Sequence, residues 1–327
     1  MSLASLNRRQ ALVTAAGFIS TSPTFSATPL YTDDIWQDLR RQRAVPVRVR
    51  WPQGVAPTGG WPVVMYSHGL GGSRAGGQLW GQAWTDAGFV VLHLQHRGSD
   101  LVAVREMGGG FRNRTALRSL AGADQLSARL QDVIFALEEI ARRKAVDEDW
   151  RFTRTNGVGM AGHSFGAHTT LGVGGQAFPG HPGLREPRIA ALIALSPTLP
   201  ALEDATLAFA AVTQPTLCIT GTRDDDVVGN NATPDKRAAV FGALPAGNKA
   251  MLLLKDADHM TFGGVTSHAA DILPREAVTR RLQAQHHMQI ARITADWWRA
   301  HLMGDVQAKK RLANPQGLDA QDIWQTG

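Results

Sequence analysis

The chain has 327 residues, 43% of them hydrophobic and 19% charged, which excludes a disordered polymer and allows one large core. Its formal charge of +6 is scattered over short Arg/Lys groups with no interleaved aromatics, so nucleic acid is excluded as the expected partner. The single cysteine, Cys218, rules out an intrachain disulfide and, inside the apolar run 216–220, reads as a buried strand position.

Residues 1–27 have the make-up of an export signal. Asn7-Arg8-Arg9-Gln10 leads into the weakly apolar stretch 11–19, and a Ser/Thr/Pro segment ends near Ser26-Ala27. The paired arginines resemble a twin-arginine signal, which implies export of a folded protein from a bacterium and a periplasmic or secreted location. The alternative is a frayed basic N-terminus. Residues 28–327 are expected to form a single catalytic domain. No other segment approaches the roughly 18 apolar residues needed to span a membrane.

The mature chain opens with 36–51, whose Val45, Val47 and Val49 alternate with arginines as in a half-exposed strand. Pro46 within it predicts an edge or near-edge position, since proline cannot donate to a ladder. The continuous apolar run 61–67 predicts a strand buried on both faces, and it ends in His68-Gly69-Leu70-Gly71-Gly72. Residues 76–87 read as a helix, 89–95 as a buried strand, and 124–144 as a long amphipathic helix. Between them, 99–123 is rich in Gly and Arg and reads either as a flap or loop over a pocket or as surface disorder. Strands and helices alternate as in a parallel sheet, with further runs at 189–195, 215–220 and 249–254 and helices near 234–244 and 283–302.

The chemistry concentrates at Gly162-His163-Ser164-Phe165-Gly166. This is a G-x-S-x-G pattern between a short apolar run, 156–161, and a segment that can start a helix, 165–173. A serine presented on so tight a turn is a candidate nucleophile, and glycine at 162 and 166 relieves the crowding around it. Such a nucleophile needs two aimed backbone N–H donors for the oxyanion. Leu70, in the glycine-rich turn, and Phe165, next to the serine, are the candidates. A phosphate-binding role for that turn lacks both the G-x-x-x-x-G-K-[ST] and the G-x-G-x-x-G pattern.

With these residues in hand, the chain resembles the α/β-hydrolase superfamily, and within it the dienelactone-hydrolase-like and platelet-activating-factor-acetylhydrolase-like esterases. The resemblance is carried by SHGLGG at 67–72, AGFVVLHLQHRGSD at 87–100, GHSFG at 162–166 and DADHMTF at 256–262. It implies an α/β fold with a mostly parallel eight-stranded sheet and helices on both faces, and the short connections between the runs leave no room for a large cap domain. It also implies the chain order Ser, Asp, His. In the acetylhydrolase branch the acid follows the strand after the nucleophile helix, but here that loop is Leu195-Ser196-Pro197, without a carboxylate. One strand later, Gly221-Thr222-Arg223-Asp224-Asp225-Asp226 looks like the G-x-x-D loop of the dienelactone-hydrolase side. Asp224 takes the matching position, with Asp225 as its competitor.

His259, which follows the strand 249–254 and the acid, is then the base. His68 and His163 read as structural hydrogen-bonding residues. His96 ends a strand on the same rim, and Arg97 beside it can pair with Asp100 or reach a substrate carboxylate. The resemblance implies a serine hydrolase acting on carboxylic esters (short-chain esters, lactones or polyester fragments) through an acyl-enzyme, with no cofactor and no metal. A small-molecule or polymeric ester is its expected partner. A serine peptidase or amidase, or a binding protein that has lost its chemistry, are the alternatives. Phe165, Met260, Phe262 and Met107 are the expected walls of an apolar acyl pocket.

Overall fold

The structure, a computed structural model, describes residues 31–108, 110–265 and 274–327. The expected export signal therefore lies outside the described residues, as does Gly109 of the triple glycine. One sheet organises everything else. Its strands are β1 (Thr32–Asp38), β2 (Arg43–Arg50), β3 (Val63–Ser67), β4 (Val90–Leu94), β5 (Val158–His163), β6 (Ile189–Leu195), β7 (Thr216–Arg223), β8 (Lys249–Asp258) and β9 (Ile323–Thr326). They lie in the order β1-β2-β4-β3-β5-β6-β7-β8-β9, parallel from β4 through β8 and antiparallel at both margins.

The expected sheet thus gains a strand: nine are present among the described residues rather than eight. β9 closes the β8 edge with four residues that carry no buried side chain, so no apolar alternation announces it. β1 covers the opposite edge, burying only Trp36 and Asp38. β2 is second from the margin, and Pro46 sits opposite Ile35 at the end of the β2–β4 ladder, where its carbonyl still accepts the Gln95 N–H at 2.9 Å and only the reciprocal bond is missing.

Side chains alternate along β3, and each face of the sheet has its own helical layer. Val63 and Met65 join a core with α4 (Ala123–Val146), α5 (Phe165–Val173) and α7 (Pro234–Ala243). Val64 and Tyr66 join the opposite core with α1 (Gln78–Asp86), α8 (Ala277–Leu302) and α9 (Val306–Ala313). Two-sided burial explains why β3, β4 and β6 read as continuous apolar runs. Helices on both faces of a mostly parallel sheet, with no large inserted domain among the described residues, constitute the α/β-hydrolase fold.

The segment 99–123 differs from its reading as a loop. It is built from α2 (Leu101–Glu106), a 3-10 turn at Gly110–Arg112 and α3 (Arg114–Leu120). Asp100 caps α2 by accepting from the Ala103 N–H, Asn113 caps α3 by accepting from Ala116, and Val104 and Leu117 are fully buried. Gly108, Gly110 and Gly122 sit at the boundaries of these short elements, which is why composition alone reads as a loop.

Candidate active site

Parallel strands deliver their C-terminal ends to one edge of the sheet, and the candidate residues meet there. Ser164 follows β5 directly and holds φ 56°, ψ −117°, a left-handed backbone that a non-glycine residue adopts at a cost of order 1–3 kcal/mol. The turn closes because its neighbours lack side chains. A Cβ on Gly162 would overlap the carbonyl of Gly166, and a Cβ on Gly166 would overlap the carbonyl of Ser67. The tightness also sets the second wall, since a Cβ on Gly69 would lie 3.4 Å from the Cβ of Ser164.

His259 begins a 3-10 turn (His259–Gly263) after β8, capped by Asp258. Trp80 of α1 donates to the carbonyl of Phe262 at 3.0 Å, and His287 of α8 donates to that of Thr261 at 3.0 Å, so this turn is tied to the helical layer below. His259 Nε2 lies 3.0 Å from Ser164 Oγ, and His259 Nδ1 lies 2.8 Å from Asp224 Oδ1. Ser164, His259 and Asp224 thus form one hydrogen-bonded row. Because the carboxylate only accepts, the ring carries its proton on Nδ1 and offers the Nε2 lone pair to the serine hydroxyl.

Asp224 is fully buried, whereas Asp225 is exposed and Asp226 accepts from the N–H groups of Val228, Gly229 and Asn231. The structure therefore separates the three aspartates as one inward carboxylate, one solvated residue and one loop staple. Burial alone would push the Asp224 carboxyl up. The Arg237 guanidinium, with hydrogen bonds from His259 and Ser196, instead brings it down to about 2.

Ser196 and Arg237 were not legible as site residues. Ser196 occupies the loop after β6, has φ 57°, and donates its hydroxyl to Asp224 Oδ1 at 2.8 Å while lying 2.9 Å from His259 Nδ1. Its loop is the one in which the resemblance to the acetylhydrolase branch implied a carboxylate, and here a hydroxyl stands there. Arg237, nearly buried on α7, contacts Asp224 Oδ1 at 3.0 Å and donates to the carbonyls of Asp224 and Ser196. Thr220 donates to the other carboxylate oxygen at 2.8 Å.

Neither the Leu70 N–H nor the Phe165 N–H has an acceptor among the described residues. Phe165 is the first residue of α5, so its N–H also carries the positive end of that helix dipole. The Leu70 N–H belongs to the Gly69–Leu70 peptide, and the Gly69 carbonyl accepts from His68 Nδ1 at 2.6 Å and from the Gly72 N–H at 3.0 Å. In a trans peptide that fixes the N–H in the opposite direction. The tautomer of His68 is set in turn by the His96 N–H, which donates to His68 Nε2 at 3.0 Å.

His163 donates to the carbonyl of His259 at 3.0 Å, and burial, with His259 nearby, lowers it to about 3, so it stays neutral. His96 is not on an open rim. It links Ser67 Oγ (2.9 Å) to Asp132 (3.0 Å), a row that repeats the Ser-His-Asp order with all three residues fully buried beneath the turn. Asp100 accepts from Gln95 and from the Ala103 N–H, and the Arg97 side chain is exposed. Among the described residues no group of three His, Cys, Asp or Glu side chains could hold a metal ion.

Two cavities meet at Ser164. One of about 470 Å³ runs past Phe165, His168, Phe178, Thr198 and Leu199; the other, about 390 Å³, is walled by Leu70, Leu101, Phe111, Val228, Met260 and Val265. The expected apolar walls Phe165 and Met260 therefore lie on different sides of the serine. Phe262 is fully buried in the core beside Trp80, and Met107 reaches neither cavity.

The buried carboxylates make stability pH-dependent. Asp132 is also brought to about 2, against an ordinary 3.8, because His96 and Arg43 outweigh its burial. A carboxyl depressed in the folded state contributes stability that is complete above its unfolded value and lost as pH falls through the folded one. The stability gap between wild type and Asp132→Asn should hold from pH 7 to pH 5. Below pH 4 it should shrink by about 2 kcal/mol, as followed by urea unfolding at each pH. A gap that stays constant down to pH 2 would contradict this account.

A family model for platelet-activating factor acetylhydrolase, isoform II, matches residues 36–107. No curated protein matches the chain. The matched segment runs from Trp36 in β1 through the 68–72 turn to Met107 at the end of α2, and it stops before the serine elbow. The chain is thus an α/β hydrolase by fold, similar to an acetylhydrolase family over the part that carries Leu70.

Proposed function

We propose that the protein is a serine esterase that cleaves small carboxylic esters through an acyl-enzyme. The observation that carries this reading is the continuous row Ser164–His259–Asp224, set beside two unpartnered N–H groups where two cavities meet. Ser164 Oγ attacks the ester carbonyl carbon while His259 Nε2 takes its proton, and Asp224 stabilises the imidazolium that forms. The N–H groups of Leu70 and Phe165 receive the oxyanion. His259 then returns the proton to the leaving alkoxide. In the second half a water replaces the alcohol, His259 is again the base, and Ser164 regains its proton as the acid leaves.

An ester has an acyl side and an alcohol side, and each cavity can take one of them. Both volumes fall in the range of small-molecule sites. The test is hydrolysis of nitrophenyl esters from acetate to decanoate together with labelling by a fluorophosphonate probe. Turnover should be highest for chains that one cavity can hold, and the probe should modify Ser164. A properly folded protein that neither turns over any ester nor takes the probe would leave the non-catalytic reading in its place.

Export is the remaining part of the proposal. The mature protein should begin near Thr28 and be recovered outside the cytoplasm, and replacing Arg8 and Arg9 by lysine should retain the precursor inside. N-terminal sequencing of the exported protein decides it: an intact Met1 would remove the leader.

A further inference from the structure

Arg129, on α4, is fully buried and makes no salt bridge among the described residues. The acid nearest on its own helix, Asp132, is already taken by Arg41, Arg43 and His96. Burial pulls the Arg129 pKa down to about 9, with Asp132 and Asp100 opposing, so the group is charged at neutral pH. A guanidinium without a direct counter-ion is a costly thing to bury unless its N–H groups are used.

They are used on the turn that carries Leu70. Arg129 Nη1 donates to the carbonyl of His68 at 2.7 Å. Nε donates to Ser99 Oγ at 2.8 Å, and Nη2 lies 3.4 Å from the Ser99 carbonyl, which also accepts the Gly71 N–H at 2.9 Å. Arg129 therefore holds the chain before Leu70 directly, through the His68 carbonyl, and the chain after it through Ser99, which accepts from Gly71. The same guanidinium carbon lies 4.2 Å from the centre of the Phe165 ring, a cation–π contact with the residue that bears the other donor.

We infer that Arg129 is a positioning residue that locks the two halves of the oxyanion hole, the 68–72 turn and the start of α5, in register with each other. The inference rests on the ester-hydrolase reading. The two donors come from segments 95 residues apart in sequence, and Arg129 touches both. Hole donors act only if aimed at the place where charge develops, and losing one outright costs about 10²–10³ in kcat. Without Arg129 both donors remain but are less well aimed.

The test compares wild type, Arg129→Met and Arg129→Lys. Methionine fills similar space without charge or N–H groups; lysine keeps the charge, with its donors on a single nitrogen, but not the planar fork. For nitrophenyl acetate, Arg129→Met should lose about 10²-fold in kcat with KM within about threefold, since the hole binds the transition state rather than the substrate. Arg129→Lys should recover part of that loss. Affinity for a trifluoromethyl ketone, whose serine adduct places an oxyanion in the hole, should fall by the same factor as kcat. Amide exchange at 68–72 should speed up selectively.

A folded Arg129→Met with wild-type kcat and ketone affinity would overturn the proposal. If methionine prevents folding, wild-type kcat and ketone affinity in Arg129→Lys would overturn it equally. If wild type itself hydrolyses no ester, the esterase reading fails, and amide exchange still decides the role of Arg129: unchanged exchange at 68–72 in the variants would refute it.

Discussion

Ser164→Ala is expected to abolish ester hydrolysis, with kcat falling by on the order of 10⁶, the scale seen when a triad serine is removed. The reason is chemical rather than structural. Ser164 Oγ makes its hydrogen bond to His259 Nε2 and faces the two cavities, so alanine removes the proposed nucleophile while leaving the elbow backbone intact. The turn itself is held by the glycines at 162 and 166 and by the Ser164 N–H, which donates to the Leu195 carbonyl at 2.9 Å. Alanine retains that N–H. Melting temperature and far-UV CD should therefore stay close to wild type. The residual rate should reflect only the oxyanion hole and substrate binding. Wild-type turnover in the purified variant would remove Ser164 from the mechanism.

What could be read from the residues alone follows from where periodicity is informative. The strands buried on both faces announced themselves as apolar runs, and α4 did so by helical spacing. The margins did not. β1 and β9 bury too little to show alternation, and the short helices of 99–123 are masked by glycines and arginines at their ends. The site divides in the same way. Ser164, Leu70, Phe165, Asp224 and His259 occupy local patterns that a turn or a strand end imposes. Ser196, Arg237 and Arg129 act on residues far away in sequence, so their partners exist only once the sheet has brought β6, β7 and the 68–72 turn together. Phe262 illustrates the limit: two residues past Met260, it points into the core rather than the cavity, and only the 3-10 geometry of 259–263 decides which of them faces the substrate.

Among Asp224→Asn, Asp225→Asn and Asp226→Asn, the first is expected to lose on the order of 10⁴ in kcat and the others less than about tenfold. Asparagine keeps the size of Asp224 but presents an amide, so the imidazole loses the charge that stabilises its protonated form and is offered the wrong tautomer. The surroundings sharpen this expectation. Asp224 Oδ1 accepts from Ser196 and His259 and faces Arg237 at 3.0 Å, so the substitution also leaves a buried guanidinium without its counter-ion. Removing one partner of such a pair costs roughly 3–5 kcal/mol, and Asp224→Asn should therefore melt lower than wild type as well as turn over slowly. That second effect separates the residues further. Asp225 is exposed and should change neither property, while Asp226 staples the 228–231 loop through three N–H groups and should lower stability with little change in kcat. Steady-state kinetics and thermal unfolding of the three variants check both columns of this expectation. Full activity in Asp224→Asn would mean that Ser196, 2.9 Å from His259 Nδ1, can orient the ring without a carboxylate.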